Sequence, residues 1–499
     1  MKRVLVANRG EIALRVIRAC HEEGLEAVAV FSAADRSAAH VRAANRAVEI
    51  GPAPPSESYL RIDRLLQAAL DTGADAIHPG YGFLAERAAF ADAVVAAGLV
   101  FIGPPAAAIR AMGDKTEARR RMRDAGVPVV PGGHEPITEL ALARRLAVEL
   151  GYPVLVKAAA GGGGRGMRVV RAPAELGPAL ETAASEARKA FGDPSVYLEK
   201  LIERPRHVEI QVLADRERTV HLGERECSIQ RRHQKLVEEA PSPAVTAELR
   251  EWMGAAAVAA AEAVAYLGAG TCEFLLAADR SFYFLEMNTR IQVEHPVTEL
   301  VYGVDLVREQ LRIAAGEPMR VPPGWLRPRG WALECRITSE DPANGFLPTT
   351  GRIEHLHLPG GPGVRWDGGV EQGSEVGMFY DPLLGKLIAW GETRERAIAR
   401  MRRALDEFVL VGLPTAQPFH RRVLDHPDFV AGTYDIGFLD QHGEALLAAP
   451  PAEEVLRRAA LAVALAEHER RQAARPVADG RAGLEETAWV RAARLGGLR

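Results

Sequence analysis

The spacing of apolar residues divides the first 110 positions into two kinds of segment. Short continuous apolar runs predict buried strands, whereas residues 12–19 have the three-to-four-residue spacing of an amphipathic helix. Strands that alternate with helices predict a parallel sheet covered by helices on both faces. The predicted strands are residues 3–7, 26–31, 74–78 and 99–103. The turn at residues 8–11 lacks the three glycines of a dinucleotide fingerprint, which argues against NAD binding.

Beyond this region the pattern changes, and the chain divides into further predicted parts. At 499 residues it is too long for one hydrophobic core, so we expect three or four domains. A small α/β unit is followed by strand hairpins, a proline-rich stretch and a last strand-rich domain. The predicted divisions are residues 1–113, 114–330 (with the small unit at about 131–203), 331–446 and a helical tail at 447–499.

Composition and charge exclude several classes of protein. Apolar residues make up 47% and charged residues 26%, the balance of an ordinary globular protein. The net charge of −4 offers no basic excess for a phosphate backbone, so we expect no nucleic-acid partner. The four cysteines match no zinc spacing and predict reduced thiols in the cytoplasm. The most alanine-rich stretch, residues 254–266, is too short to span a bilayer, so we expect no membrane association.

Lysine is rare in this chain, which makes the few lysines informative. Only seven of the 62 basic residues are lysine, and the others are arginine. A lysine in such a chain indicates a place where a compact ammonium is needed rather than a planar guanidinium. Lys2 and Lys189 are explained equally well as surface lysines without a specific role. The others lie in glycine-rich or polar motifs, and they are Lys115, Lys157, Lys200, Lys235 and Lys386.

A run of glycines lies between two predicted strands in the segment 152–170. Each glycine in an ordered backbone costs about 0.5–1 kcal/mol relative to alanine, so four in succession at residues 161–164 need a reason. Backbone N–H groups without side chains can close over phosphate oxygens, and Lys157 at the strand end would add positive charge. A flexible hairpin tip is the alternative. The segment is not a P-loop, because no Gly-Lys-Ser/Thr follows and the next element is a strand.

Two strands flanking a turn at residues 279–280 carry opposed acids. If the turn is symmetric, Glu273 faces Glu286, and Asn288 lies on the same face as Glu286. Like charges directly opposite destabilise a sheet, and Mg²⁺ between these oxygen ligands would remove the repulsion. A solvated polar face is the alternative, but an apolar opposite face favours the metal site. The residues expected on that opposite face are Phe274, Phe282, Phe284 and Leu285.

Two short polar segments follow hairpin strands. Residues 230–235 and 288–296 concentrate hydrogen-bond donors and acceptors. A small anion needs several oriented donors and one base. A solvated charged face is the usual alternative. Because one of the two segments comes directly after the proposed metal ligands, the pair favours an anion site.

Seven motifs, in order along residues 2–446, resemble those of biotin carboxylases. They are Asn8-Arg-Gly-Glu-Ile-Ala13, His78-Pro-Gly-Tyr-Gly-Phe83, Met112-Gly-Asp-Lys115, the loop at 161–167, Arg231-Arg-His-Gln-Lys235, Glu286-Met-Asn-Thr-Arg290-Ile-Gln-Val-Glu-His295 and Glu334-Cys-Arg336. One motif alone is weak to moderate evidence, whereas the ordered set is very specific. Other ATP-grasp enzymes, such as carbamoyl-phosphate synthetase, share the glycine-rich loop and the metal pattern. The run at residues 231–235 and Arg336 favour the biotin-dependent family.

The resemblance implies an α/β and α+β multidomain fold. Its parts are an N-terminal Rossmann-like domain, an ATP-grasp domain with a mobile lid at about residues 131–203, and a β-rich biotin carboxylase C-terminal domain. It also implies a ligase that uses ATP, Mg²⁺ or Mn²⁺, and bicarbonate to carboxylate biotin on a partner protein. Carboxyphosphate would be the intermediate, and the lid would exclude water from it.

The same resemblance implies roles for residues at the motif positions. Those expected to hold the metal ion are Glu273, Glu286 and Asn288. Those expected to hold bicarbonate are Lys235, Arg290, Gln292 and the backbone of Val293. Glu294 would be the general base, and Arg336 would stabilise biotin after its ureido N–H is deprotonated. Those expected to bind ATP are Lys115, Lys157, Gly163, Gly164, Glu199, Lys200, Leu201, Ile202, His207, Gln230 and His233.

The resemblance also implies partners. In multidomain relatives a following domain carries biotin on a lysine, but no lysine follows Lys386 in this sequence. We therefore expect a homodimer, a separate biotin carboxyl carrier protein and a separate carboxyltransferase, within an acyl-CoA or pyruvate carboxylase. The tail at 447–499 fits a docking helix and a surface helix equally well. Two alternatives stay open: another ATP-grasp carboxylate–amine ligase, and a non-catalytic nucleotide-binding protein with a degraded metal site.

Overall fold

In the computed structural model, the first 113 residues form a five-stranded parallel sheet with helices around it. Its elements are β1 (Arg3–Val6), α1 (Gly10–Glu22), β2 (Glu26–Ser32), α2 (Ala39–Ala43), β3 (Arg46–Gly51), α3 (Ile62–Thr72), β4 (Ala76–His78), α4 (Ala88–Ala96), β5 (Val100–Phe101) and α5 (Ala106–Gly113). The strand order is β3-β2-β1-β4-β5, and every pair is parallel. The parallel sheet predicted from the alternating apolar runs is therefore confirmed.

A small antiparallel sheet follows, with its own hydrophobic core. Its elements and the preceding helix are α6 (Lys115–Asp124), α7 (Leu140–Leu150), β6 (Val154–Ala158), β7 (Met167–Val170), α8 (Leu176–Phe191) and β8 (Val196–Lys200). The strand order is β7-β6-β8. The side chain of Asp114 caps α6 by accepting from the backbone N–H groups of Thr116 and Glu117. The cap fixes Lys115 in the first turn of α6.

Eight strands from the middle and the end of the chain form one antiparallel sheet. The middle elements are β9 (Arg206–Ala214), β10 (Thr219–Arg231), β11 (Gln234–Ala240), α9 (Ala247–Glu262), β12 (Gly268–Leu276), β13 (Phe282–Asn288), α10 (His295–Tyr302) and α11 (Leu306–Ala314). The later elements are β14 (Trp331–Thr338), β15 (Glu340–Asp341), β16 (Leu347–Pro348), β17 (Gly351–Arg352), β18 (His355–His357), β19 (Val364–Gly368), β20 (Glu375–Val376), β21 (Leu383–Gly391), α12 (Arg394–Glu407), β22 (Val409–Val411), α13 (Gln417–Asp425), α14 (Pro427–Ala431) and α15 (Phe438–Leu447).

The order of the eight strands is β13-β12-β9-β10-β11-β14-β21-β19. The pairing of β11 with β14 joins strands from both sides of the predicted boundary at residue 330. The two parts of the chain therefore share one hydrogen-bonded frame, and the domain boundaries stay predictions.

The two faces of this sheet differ in polarity, because successive side chains of a strand point to opposite faces. On β9, Val208 and Ile210 pack into a buried apolar core, while His207 and Glu209 lie on the other face. The polar face carries the charged side chains of the site described below.

The structure describes residues 1–133, 137, 139–158, 167–191, 195–322, 327–448 and 452–473. They belong to two units, residues 1–447 and 448–499. The second unit contains the helix α16 (Ala452–Ala473), on which Leu456, Leu461 and Val463 are exposed. In these ranges no helix combines the length and the apolar character needed to cross a membrane.

We expect Phe274→Ala to destabilise the eight-stranded sheet. Phe274 is fully buried, and its ring packs edge-to-face against Phe282 and Phe284 at centroid distances of 5.5 and 6.1 Å. Loss of the ring leaves a cavity, which lowers the free energy of unfolding by about 3–5 kcal/mol. Thermal denaturation followed by circular dichroism measures the effect. The control Phe379→Ala removes a half-exposed ring and should leave the melting temperature nearly unchanged; equal melting temperatures for the two variants would contradict the prediction.

Candidate active site

A cleft of about 1080 Å³ opens on the polar face of the eight-stranded sheet. The small antiparallel sheet borders it on one side, and the start of α15 borders it on another. Gly163 and Gly164 lie outside the described residues. The predicted site residues that line the cleft are Lys115, Lys157, Glu199, Lys200, Leu201, Ile202, His207, Gln230, His233, Lys235, Glu273, Glu286, Asn288, Arg290, Gln292, Val293, Glu294 and Arg336.

The ammonium group of Lys235 lies at the centre of the cleft floor. Its Nζ donates to Glu294 at 2.7 Å, to Glu273 at 2.9 Å and to Glu209. The Lys235 side chain is only 11% exposed, and the three carboxylates are buried. One ammonium therefore bridges three carboxylates in a place that bulk water hardly reaches.

A β-bulge brings Lys235 to this face. Lys235 pairs with Gln230, while Val237 pairs with Ile229, so that Leu236 has no partner in the ladder. Val237 packs into the apolar core on the other side of the sheet. Without the extra residue, Lys235 and Val237 would share a face, because they are two positions apart.

The charges of the cluster keep one another ionised. Burial lowers the pKa of Lys235, but the surrounding carboxylates outweigh burial and hold that pKa well above its usual value. Burial raises the pKa of Glu273, but Lys235 and His207 hold it well below its usual value. Burial likewise opposes the ionised form of Glu294, whose pKa Lys235 and Arg336 hold well below the usual value. These groups are therefore charged at neutral pH.

The predicted pairing of two acids on the hairpin β12–β13 is confirmed: Glu273 pairs with Glu286. The Asn288 amide nitrogen donates to Glu273 at 2.8 Å, and the Asn288 amide oxygen accepts from Arg290 at 2.9 Å. Burial and the charge of Glu273 raise the pKa of Glu286, while Lys115 opposes this effect. A repelling pair of acids with only oxygen donors fits a hard divalent cation such as Mg²⁺ or Mn²⁺.

The prediction for Leu285 was wrong. Phe274 pairs with Phe284, so the register shifts by one residue after the pair Glu273 and Glu286, and Leu285 is left unpaired. Leu285 therefore lines the cleft beside Glu286 instead of packing with Phe284. The bulge adds one residue to β13, and an argument from a symmetric turn cannot detect it.

The wall formed by the small sheet carries a second set of charges. The Lys157 ammonium pairs with the buried carboxylate of Glu199, which Arg119 also contacts. The Nζ of Lys200 donates to the Gly151 carbonyl at 2.7 Å, and Leu201 and Ile202 continue the wall after β8. This side of the cleft thus combines cations with apolar surface, which suits a nucleotide.

Two histidines and one glutamine border the cleft between this wall and the floor. His207 Nε2 lies 3.1 Å from a Glu273 oxygen. Burial lowers the pKa of His207, but the carboxylates of Glu273 and Glu209 together outweigh burial, so the pKa is raised above its usual value. Gln230 donates to the Cys227 carbonyl at 3.2 Å. His233 has a positive φ of 67° in the turn between β10 and β11.

The loop after β13 brings the predicted anion-binding groups to the floor. Arg290 donates to Glu86 at 3.0 Å and to the Asn288 oxygen at 2.9 Å. Gln292 donates to Glu273 at 2.8 Å. The Val293 carbonyl accepts from the ammonium of Lys386 at 2.8 Å, which fixes the loop backbone.

Arg336 connects the cleft to a buried pair of acids. It donates to Glu238 at 2.6 Å and to Glu294 at 2.9 Å. Glu238 pairs with Glu334 across β11 and β14, and both are fully buried. Burial raises the pKa of Glu238 to about 7 against the effect of Arg336, and burial raises the pKa of Glu334 well above its usual value. Burial therefore favours the protonated forms of these two acids.

Sequence reasoning missed the second buried cation, Arg225. Its guanidinium is fully buried and donates to Glu209 at 2.5 Å, to Gln211 at 2.6 Å and to Gln292 at 2.8 Å. Arg225 and Glu209 are directly paired across β10 and β9. The available signal was the run of three consecutive charged residues, 224–226, within a predicted strand. The other supporting residues that were missed are Glu86 and Glu238.

Three family models match successive parts of the chain. Residues 1–109 match the biotin carboxylase N-terminal domain, and residues 334–441 match the biotin carboxylase C-terminal domain. Between them, residues 114–321 match the ATP binding domain of the carbamoyl-phosphate synthase L chain.

Curated proteins and solved structures of high similarity cover most of the chain. A pyruvate carboxylase subunit of Methanothermobacter thermautotrophicus is 53% identical over 441 residues, 88% of this chain and 90% of that protein. The biotin carboxylase of Nostoc sp. is 53% identical over 440 residues, 88% of this chain and 98% of that protein. The biotin carboxylase domain dimer of Hydrogenobacter thermophilus 2-oxoglutarate carboxylase, solved with MgADP, ADP and bicarbonate, has a TM-score of 0.83 and 47% identity, covering 90% and 99% of the two chains. The Campylobacter jejuni biotin carboxylase-beta-gamma-ATP complex has a TM-score of 0.84 and 45% identity, covering 88% and 99%.

We expect Lys235→Met to destabilise the protein most at neutral pH. The depressed pKa values of Glu273 and Glu294 stabilise the folded state above the unfolded carboxyl pKa, and this stability is lost as the pH falls through the folded pKa. Replacing Lys235 removes the ammonium that lowers these pKa values, so the free energy of unfolding should fall by about 3–5 kcal/mol. The difference in melting temperature from wild type should therefore stay nearly constant between about pH 8 and about pH 6, and shrink as the pH falls below the ordinary carboxyl pKa of about 4.3.

The matched control is Lys189→Met, which changes an exposed lysine on α8. Its melting temperature should follow that of the wild type at every pH. A loss of stability in Lys235→Met that is independent of pH would show that packing, not charge, is the contribution of Lys235.

Proposed function

Because the chain belongs to the biotin carboxylase family, we propose that it catalyses the first half-reaction of an acyl-CoA or pyruvate carboxylase. It is an ATP-grasp ligase, and its chemistry is the ATP-dependent carboxylation of biotin. The observation that carries the assignment of roles is the convergence of Glu209, Glu273 and Glu294 on Lys235 beneath the cleft.

The wall of the cleft formed by the small sheet is the proposed nucleotide site. Lys115 and Lys157 would neutralise phosphate charge, while residues 199–202 would bind the adenine edge. The ion pair of Lys157 with Glu199 supports the role of Lys157, because an ammonium that binds a carboxylate can also bind a phosphate. Gly163 and Gly164 would add backbone donors, and the unit at about 131–203 stays the predicted lid. The other proposed ATP-binding residues are His207, Gln230 and His233.

Glu273, Glu286 and Asn288 would hold Mg²⁺ or Mn²⁺ at the end of the hairpin. When bound there, the ion would neutralise phosphate charge during phosphoryl transfer. Glu286 lies directly opposite Glu273 on the hairpin, so two like charges repel each other at this position. This charge supports the metal site.

The floor of the cleft is the proposed bicarbonate site. Lys235, Arg290 and Gln292 would orient the anion together with the Val293 backbone, and Glu294 would accept its proton. Glu294 is ionised, and its carboxylate lies 2.7 Å from Lys235 and 2.9 Å from Arg336, next to the proposed anion. The deprotonated oxygen would attack the γ-phosphorus of ATP, the bond to the β–γ bridging oxygen would break, and carboxyphosphate and ADP would result.

Arg336 is the proposed contact for biotin. Carboxyphosphate would divide into CO₂ and phosphate, the phosphate would take the ureido proton of biotin, and the ureido nitrogen would bond to CO₂. The guanidinium of Arg336 would stabilise the negative ureido group meanwhile. Its position beside Glu294, at 2.9 Å, supports this role, because both steps then occur in one place.

The proposed partners are a biotinylated carrier protein and a carboxyltransferase, and the proposed assembly is a homodimer. Residues 387–499 contain no lysine to which biotin could be attached. The M. thermautotrophicus relative is named as one subunit of pyruvate carboxylase, and the H. thermophilus domain was solved as a dimer. Affinity capture from native extract, with identification of the biotinylated protein, tests the partners.

We expect the purified protein to hydrolyse ATP with free biotin only when bicarbonate is supplied. Bicarbonate is the nucleophile, so its omission removes the acceptor of the phosphoryl group. Release of ADP in a coupled assay, in buffers freed of CO₂ and then supplemented, measures this dependence. Stimulation by an amino acid or peptide acceptor in place of biotin would instead indicate a carboxylate–amine ligase.

We expect Glu294→Gln to lower kcat by about 10²–10⁴-fold and to leave ATP affinity within a few fold of wild type. The amide keeps the shape of the side chain but cannot take a proton from bicarbonate. Steady-state ATPase rates and nucleotide titration measure the two effects. Glu354→Gln, at an exposed position, is the matched control. Turnover by Glu294→Gln near the wild-type rate would contradict the proposed base.

A further inference from the structure

Within the described part of the chain, three groups of histidine, cysteine and carboxylate side chains lie close enough to share a cation. Two of them belong to the cleft floor. The third, formed by His426, Asp428 and His442, lies outside the residues that line the cleft and has no part in the proposed reaction.

Two neighbouring helices, α14 and α15, bring this third group together. His426 is the N-cap of α14, Asp428 lies in the first turn of α14, and His442 lies in the middle of α15. His442 Nε2 is 2.9 Å from the Asp428 carboxylate, and the two imidazole rings have a centroid distance of 4.2 Å. One ligand atom from each residue lies within 4.8 Å of the other two.

The positions of both rings are fixed by packing. The buried ring of Phe438 contacts His426 and His442, each at a centroid distance of 5.1 Å. The group is nevertheless open to solvent, because the side chains of His442 and Asp428 are 27% and 46% exposed. A cation can therefore reach ligands that are already oriented.

An ordinary ion pair between His442 and Asp428 uses only two of the three side chains. It requires His442 to be protonated, which places a positive charge against the ring of His426. A divalent cation would instead use the lone pairs of both imidazoles and the carboxylate together. Ligands about 2.0–2.2 Å from a tetrahedral zinc ion are about 3.3–3.5 Å apart, so small side-chain rotations would admit the ion. The backbone N–H of Asp428 donates to His426 Nδ1 at 3.3 Å, a long hydrogen bond that would break when His426 rotates toward the ion.

We propose that His426, Asp428 and His442 form a binding site for a borderline divalent cation, of which Zn²⁺ is the type, separate from the catalytic cleft. Two imidazole nitrogens and one carboxylate oxygen are a ligand set that zinc binds, with water in the fourth position. The ion joins α14 to α15. Because Leu439 and Asp440 of α15 line the cleft, the ion would also hold that border of the cleft in place.

Isothermal titration of the full-length protein with ZnCl₂, after removal of metals by chelation and in excess MgADP, tests the site. We expect the wild type to bind one more equivalent of Zn²⁺ than His442→Gln or Asp428→Asn, and its melting temperature to rise with Zn²⁺ when theirs does not. The control His357→Ala, which removes an exposed histidine of β18, should bind as the wild type does.

The visible spectrum of the Co²⁺ form gives a second readout, because tetrahedral coordination by nitrogen and oxygen intensifies its absorption. Both variants should lose that absorption, and His357→Ala should keep it. Equal Zn²⁺ stoichiometry in the wild type and both variants would overturn the proposal, as would a wild type that binds no Zn²⁺ beside MgADP.

Discussion

The attraction between the ammonium of Lys235 and three buried carboxylates is the interaction on which the cleft depends. Each carboxylate would repel the other two in a place of low effective dielectric, where electrostatic interactions are strong. Glu273 belongs to the proposed metal pair, and Glu294 is the proposed base. Lys235 therefore holds the proposed metal ligand and the proposed base at a fixed separation.

The antiparallel sheet makes this arrangement rigid. Glu209, Lys235, Glu273 and Arg336 lie on β9, β11, β12 and β14, and each of these strands is hydrogen-bonded to a neighbour on both sides. Glu294 is the N-cap of α10, at the end of the loop that follows β13. Two bulges, at Leu236 and Leu285, rotate particular side chains toward the cleft without breaking the sheet. The antiparallel sheet thus holds the site in place, and the two bulges determine which side chains of β11 and β13 face the cleft.

Much of the fold and most of the candidate site were predictable from the sequence. The apolar runs correctly predicted the parallel sheet, and the symmetric turn correctly predicted the pair of Glu273 and Glu286. The resemblance to biotin carboxylases is confirmed by the family matches. Arg225 and Glu209 were missed because their pairing on the hairpin β9–β10 follows a register shift between His221 and Glu224, which a symmetric turn does not predict. Leu285 was misplaced because one inserted residue in a strand leaves no mark in the periodicity.

The pairing of β11 with β14 also governs how the chain can be divided. A fragment ending in the proline-rich stretch at 318–328 would keep the Lys235 hairpin but lose β14. The far edge of β11 would then expose a row of unpaired N–H and C=O groups, which is a template for association with other chains. Expression of the first two-thirds of this protein alone therefore favours aggregation, however complete its own sequence motifs are.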